Sequence, residues 1–269
     1  MLKTIKKSRK VLIYGGLAIV FLSSALAITL FSNGYTLGSG FKLRAPGTII
    51  LSVPRAGSKV IIDDKLKTIT KVDYEKVIFW GLSPRLHTIL ISQESFLPWG
   101  KNIIVKENQT VEISSFLAPT NARAAVFEKS HPRYQELVNF ILKSSAPIVS
   151  NPKIFKDGTI AVWVEGETKV MASFNGDLKK PWYFCTGEVC IPEVTVITTN
   201  SPVKNVDFYA KERDVIMIAL EKGVYALELG KSGIQNFQPL YIGENPRFYK
   251  ENENRFFVLD GKELMEIGF

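Results

Sequence analysis

Few residues in this 269-residue chain are of a type and spacing that could do chemistry: two cysteines, two histidines, some neighbouring carboxylates and a few aromatic rings. Cys185 and Cys190 stand in FCTGEVC, separated by four residues. That is not the two-residue spacing of thioredoxin-like redox pairs, and without a nearby His or third Cys it does not make a zinc site. In an oxidising compartment the pair would close a disulfide across a hairpin tip, contributing only about 2 kcal/mol for so short a loop. His87, beside Thr88–Ile91, reads as a strand residue satisfied by a neighbouring carbonyl. His131 reads as an exposed cap at the start of a helix. Successive strand residues point to opposite faces, so Asp63-Asp64 reads as a turn rather than a paired acid and base. Glu251 and Glu253, in ENEN, read as part of a solvated loop without the EF-type calcium pattern. The chain has no Gly-x-Ser-x-Gly elbow, no His-Glu-x-x-His and no phosphate-binding loop. The expectation is therefore a non-enzyme with no catalytic, metal-binding or cofactor-binding residues. Asn108-Gln109-Thr110 is a formal glycosylation acceptor, meaningful only where exports are glycosylated.

Aromatic rings offer flat apolar faces with a polar edge, suited to stacking on a sugar. Trp80, inside VIFW, reads as a core residue, whereas Trp99, in the Pro98–Gly100 turn, makes a candidate ligand face with Phe96.

The elements that would carry these residues begin with a membrane segment. Five of the net +8 charges sit on Lys3, Lys6, Lys7, Arg9 and Lys10, leaving +3 for the rest of the chain, too little for a nucleic-acid-binding body. Val11–Phe31 is uncharged, and its twenty-one residues would span roughly 31 Å as a helix, against a hydrocarbon core of about 30 Å. The basic flank would stay cytoplasmic and send everything after Phe31 across. The competing reading is a cleaved signal at Ala25-Leu26-Ala27; the apolar run continuing through Ile28–Phe31 favours an uncleaved anchor. Residues 32–46, with the Gly/Ser-rich Asn33–Gly40, read as a flexible spacer.

From Gly47 short apolar runs alternate with turn residues about every ten positions. The runs Thr48–Val53, Lys59–Ile62, Lys76–Trp80, Thr88–Ser92, Asn102–Val105 and Thr110–Ile113 predict a small β-sandwich over residues 47–119. In order of parts, GTIILSVPRAGSKVIIDD, FWGLSPRLHTILISQESFLPWGKNIIV and QTVEISSFL resemble a PEGA domain, an extracytoplasmic β-sandwich module. Only Pro54 of Pro54-Arg55-Ala56-Gly57 matches the tetrad that names the family, and a glycine usual before its His is absent ahead of His87. The resemblance implies a cell-surface binding or spacer module with no catalytic residues.

Ala118–Ala125 reads as a linker, and residues 120–269 as a second domain. His131–Ser144 predicts a helix with Pro132 in its first turn and an apolar stripe of Tyr134, Leu137, Val138, Ile141 and Leu142, with Pro147 just beyond. Three hairpins follow, turning at Glu165-Gly166, Lys222-Gly223 and Asp260-Gly261; their starts at Ile160, Val215 and Arg255 lie 55 and 40 residues apart. That is the scale of propeller blades, but the 113 residues from Asp157 onward fall short of the roughly 160 a closed propeller needs. FYAKERDVIMIALEKGVYALELGKSGIQNFQPLY also resembles tails of bacterial membrane proteins carrying a PEGA domain and blades of TolB-like propellers. The expected fold is an all-β ectodomain: a transmembrane helix, a PEGA-like sandwich, then open propeller-like hairpins with one helix covering an edge.

Together these readings predict a single-pass envelope protein with a cytoplasmic N-terminus and an extracytoplasmic body. Its expected partners are the lipid bilayer and a cell-wall polymer, an envelope protein or another copy of itself, with no nucleic acid. A sensor or accessory subunit of a membrane complex is the alternative, weakened by the ten-residue cytoplasmic stub Met1–Lys10; an exported hydrolase has no motif behind it.

Overall fold

The computed structural model describes residues 2–120, 124–144, 152–176, 180–186, 189–231 and 233–268, without the side chains of 2–13, Ser39, Trp182 and Thr186. The orienting side chains Lys3, Lys6, Lys7, Arg9 and Lys10, and Pro147, lie outside that description. The protein is mostly β, built of several antiparallel sheets behind one N-terminal apolar helix, with no closed barrel among the described residues.

Helix α1 (Leu2–Ser32) is unbroken. Its Tyr14–Ser32 stretch, with mean hydropathy 2.0, is long and apolar enough to cross a membrane. Ser23 and Ser24 Oγ donate to Val20 O (3.0 and 2.8 Å) and Thr29 Oγ1 donates to Ala25 O (2.9 Å), so these hydroxyls are satisfied within the helix, as hydrocarbon requires. The helix ends in a Schellman turn: Gly34 has φ +84°, its N–H reaches Phe31 O, and the Tyr35 N–H reaches Leu30 O.

Strands β1 (Thr36–Leu37) and β2 (Leu43–Arg44) then pair around a 3₁₀ turn at Ser39–Phe41. The expected flexible spacer is thus an ordered hairpin. Seven strands follow: β3 (Gly47–Val53), β4 (Lys59–Ile62), β5 (Lys65–Ile69), β6 (Glu75–Leu82), β7 (Leu86–Ser92), β8 (Trp99–Ile104) and β9 (Thr110–Ser114).

The chain divides into two compact units. The first takes Met1–Ser52, Lys76–His87 and Ile104–Ile113, and so holds α1, the hairpin and a sheet ordered β6-β3-β9. Here the backbones of Gly34 and Gly81 touch: a Cβ placed on Gly34 would lie 1.9 Å from Gly81 O. Along β6, Lys76, Ile78 and Trp80 point outward. Trp80 is 75% exposed, which corrects its reading as a core residue. His87 is buried with Nε2 2.8 Å from Ser83 O, satisfied by a carbonyl as expected.

The second unit takes Val53–Glu75, Thr88–Ile103 and Ser114–Phe269. Its first sheet has the order β5-β4-β7-β8. Asp63 and Asp64 (φ +50° and +61°) form the two-residue turn from β4 to β5, the left-handed pair of a type I′ hairpin. Strand β5 itself, polar and exposed, has no apolar run and escapes the sequence reading.

The remaining elements are β10 (Ala124–Val126), α2 (Tyr134–Ser144), β11 (Lys153–Ile154), β12 (Ile160–Glu165), β13 (Lys169–Phe174), β14 (Cys185–Thr186), β15 (Val189–Cys190), β16 (Glu193–Thr198), β17 (Asn205–Phe208), β18 (Val215–Leu220), β19 (Gly223–Glu228), β20 (Phe237–Ile242), β21 (Arg247–Asn252), β22 (Arg255–Asp260) and β23 (Glu263–Gly268). They form three four-stranded antiparallel sheets, β11-β12-β13-β16, β17-β18-β19-β20 and β10-β23-β22-β21, with all three expected hairpins in place. Val126, Ala125 and Ala124 pair with Met265, Glu266 and Ile267, so the end of the expected linker is the edge strand of the last sheet. The first two sheets share one core, in which Ile160, Val162 and Val170 meet Ile216, Ile218 and Leu227.

Helix α2 starts at Tyr134, later than expected, because His131 and Pro132 form the preceding turn and His131 Nδ1 accepts the Arg133 N–H (3.1 Å). Tyr134, Leu137 and Ile141 pack on Phe257 and Leu264. The helix therefore lies with its apolar stripe on the face of the sheet that follows it, as the stripe implies, and not along a free edge, since such a stripe is buried most fully against another apolar surface.

Cys185 and Cys190 face each other across the β14–β15 hairpin and are disulfide-bonded. Replacing both with Ser should lower the unfolding free energy by up to about 2 kcal/mol in urea titrations. A loss of more than twice that would mean the hairpin supports more than itself.

Candidate functional site

The candidate ligand face does not exist as expected. Trp99 is completely buried, and its indole N–H donates to Glu228 Oε1 (2.5 Å). Lys101 Nζ is paired with Glu228 Oε2, and the Asn236 N–H reaches the same oxygen (3.3 Å). Trp99 is thus a structural hydrogen-bond donor to a buried carboxylate. Its place in strand β8 rather than in a turn is the reason: alternate β8 side chains, Trp99, Lys101 and Ile103, all point inward. Phe96 is half-buried under the Arg55 guanidinium, 5.4 Å from the ring centroid.

Of the expected solvated loop, Glu253 and Asn254 do form the turn between β21 and β22, whereas Glu251 lies in the strand and is largely covered. Glu251, next to the last residue of β21, is held by Arg133 (2.6 Å) and Arg255 (2.5 Å); the hydrogen bond from Arg133 is the main cause of its lowered pKa. Glu253 binds Lys156 (2.9 Å) and approaches Lys211 (3.8 Å).

The cleft that emerges lies wholly in the second unit and has room for about 130 Å³. Turns build it. Pro54-Arg55 opens the turn after β3, and Ala56 N–H donates to Asp73 Oδ1 (2.8 Å) while Tyr74 N–H reaches Pro54 O (3.3 Å), tying the two walls together. Tyr209–Glu212, in the connection from β17 to β18, forms the opposite wall. Tyr209 packs edge-on against Phe116 (centroids 5.8 Å apart) and its hydroxyl donates to Leu117 O (3.1 Å). Lys211 Nζ lies over the Tyr74 ring, 5.5 Å from its centroid. Tyr74 and Ala210 both have left-handed backbones (φ +56° and +44°), a strained conformation for residues with a side chain.

Glu212 is the unusual group. Burial, reinforced by nearby Asp214, raises its pKa to about 8. Its carboxyl is therefore largely protonated at pH 7 and can donate as well as accept a hydrogen bond. Burial likewise raises the Tyr74 and Tyr209 hydroxyls. The space is smaller than the roughly 300 Å³ at which ligand pockets begin. It suits one protruding polar group, a hydroxyl or an amide, against neutral Glu212 and the two phenols.

No protein-family model and no curated protein matches this chain. The likeness to a PEGA domain therefore rests on the residues at 47–119 alone. The cleft residues Tyr209, Lys211 and Glu212 went unread in FYAKERD, whose signal is a phenol and alternating charges between two apolar strands. Glu228 was signalled by its place between Leu227 and Leu229, an acid in an apolar strand that needs a cation.

Two variants test these assignments. Glu212 has a raised folded-state pKa, so its contribution to stability is full below about pH 4.5 and is lost as pH climbs towards about 8. Glu212→Gln should remove that slope, its stability relative to wild type rising on the order of 1 kcal/mol per pH unit across the window. A pH-independent difference in urea midpoints would contradict this. Lys101→Met should cost about 3–5 kcal/mol by stranding the Glu228 charge, and adding Glu228→Gln, which removes the charge but keeps an acceptor for the Trp99 N–H, should restore much of it. Simple addition of the two single losses would show that the charges do not depend on each other.

Proposed function

We propose that the protein is a non-enzymatic, membrane-anchored scaffold of the cell envelope, with a PEGA-like module in its body that holds a cell-wall polymer or an envelope protein. One observation carries the reading: an apolar helix of membrane-spanning length, preceded by a basic N-terminal stretch, leads through a fixed turn into a β body stapled by a disulfide. Positive flanks stay cytoplasmic and disulfides persist outside, so both features favour the same, outer side of the bilayer for the body. The ionisable groups around the cleft also favour holding over turnover. Arg55 covers Phe96, Lys211 covers Tyr74, and Glu253 is bound to two lysines. The Pro54–Gly57 turn, the part of the chain that corresponds to the PEGA tetrad, supplies one wall of that cleft.

The test has two readouts on the full-length protein. A C-terminal tag should be removed by protease added to intact, envelope-permeabilised cells, and retention of the tag would place the body inside. Detergent-solubilised protein should sediment with purified cell-wall polymer or envelope fractions, with Glu212→Gln or Lys211→Glu reducing the retained amount severalfold. No sedimentation with any envelope fraction would leave the binding role without support.

A further inference from the structure

The first unit carries an apolar surface that the fold does not use. Trp80 is 75% exposed and Phe41 90%, with Leu37, Leu43 and Ile78 also open to solvent, all in the unit that holds α1. Phe41 has a left-handed backbone (φ +58°), rare for a bulky side chain, yet its ring finds no packing to offset the strain. Lys42, Arg44 and Lys76 are exposed among these residues, with Glu107 3.6 Å from Arg44.

Position decides what covers this surface. The apolar run ends at Phe31, and Gly34 follows three residues later, about 4–5 Å further along the helix direction. The headgroup layer on each side of a bilayer is about 5–8 Å deep, so Gly34 falls within it when Val11–Phe31 spans the hydrocarbon. The Gly34 backbone touches the Gly81 backbone, closely enough that any side chain on Gly34 would clash, and Trp80 is the next residue along β6. Its exposed indole is consequently held at headgroup level, where Trp is enriched because it has an apolar body and an N–H for the wet side.

We infer that the first unit is seated on the outer leaflet, with Trp80 in the headgroup layer beside the helix end and the Phe41 hairpin as a second contact. The hairpin and sheet of the first unit are then held against the lipid instead of being lifted off by a spacer, and the exposed Lys42, Lys76 and Arg44 favour anionic headgroups. This rests on α1 spanning the bilayer as proposed above.

The experiment reconstitutes full-length wild-type protein and Trp80→Phe into phosphatidylcholine–phosphatidylglycerol vesicles whose acyl chains are brominated either near the headgroup or near the chain end. Trp99, Trp163 and Trp182 are common to both proteins, so their quenching cancels in the difference. The wild type should show a quenched, blue-shifted component missing from Trp80→Phe, at least twofold stronger with shallow bromines than with deep ones. Equal quenching of both proteins, while both resist alkaline extraction from the vesicles, overturns the seating but leaves the anchor intact. Loss of both proteins to the alkaline wash removes the anchor reading and the seating with it. Trp80 emission that changes with protein concentration and not with bromination would assign the surface to a second copy of the chain, which also overturns it.

Discussion

The second unit is organised around one buried carboxylate. Glu228 receives the Trp99 indole, the Lys101 ammonium and the Asn236 amide, and Lys101 also donates to Gly230 O (3.3 Å). A buried ion pair of this kind adds little net stability compared with apolar residues, but it makes other arrangements costly, because any shift strands a charge. Its effect here is positional. Strand β8 is the open edge of its sheet, and side chains beyond Glu228 satisfy it like a further strand. Asn236 bonds both polar groups of Gly100 (3.3 and 2.9 Å), and Gln238 bonds Pro98 O (2.9 Å) and the Ala118 N–H (3.1 Å). Gly233 approaches Asn102 O so closely that a Cβ would lie 2.5 Å away. The sheet carrying the Pro54 turn is thereby set against the sheet carrying Tyr209–Glu212, and the cleft is the space left between their turns.

The same use of polar groups continues through the tail. Lys250 Nζ donates to the carbonyls of Phe208 and Ala210 (2.8 and 2.9 Å), holding the connection that carries Glu212. Asn205 bonds the Phe248 backbone, linking the last two sheets. Arg133, at the start of α2, joins Arg255 on Glu251, and Arg255 continues to Glu266 (3.2 Å). Apolar burial builds the sheets and joins the first two tail sheets in one core; these polar bridges add fixed links between sheets.

Much of this was legible along the chain because it depends on near neighbours. A helix needs only its own run of side chains, so α1 could be read from Val11–Phe31, and Gly34 marks its end. Each hairpin depends on two strands and one turn, so those at Gly166, Lys222-Gly223 and Gly261 appear where the residues place them. Cys185 and Cys190, close in sequence and opposite in register, needed no distant partner. Strand β5 was illegible because an exposed edge strand needs no apolar alternation, and β10 because Ala124–Val126 is a strand only through its pairing with Met265–Ile267.

What the amino-acid sequence determined alone was the apolar span, the β character and the covalent staple, since each follows from periodicity or spacing over a few residues. Only the tertiary structure decided which tryptophan is covered. Trp99 has a carboxylate 129 positions further along to receive its N–H, whereas Trp80 lies on the outward face of an edge strand and is 75% exposed. The ionisation of Glu212 was decided in the same way, because its burial, the main cause of the shift, exists only once the turns have closed around it; Asp214, two residues along, only reinforces it. Such properties come from groups that chain connectivity does not place together, and folding alone supplies their surroundings.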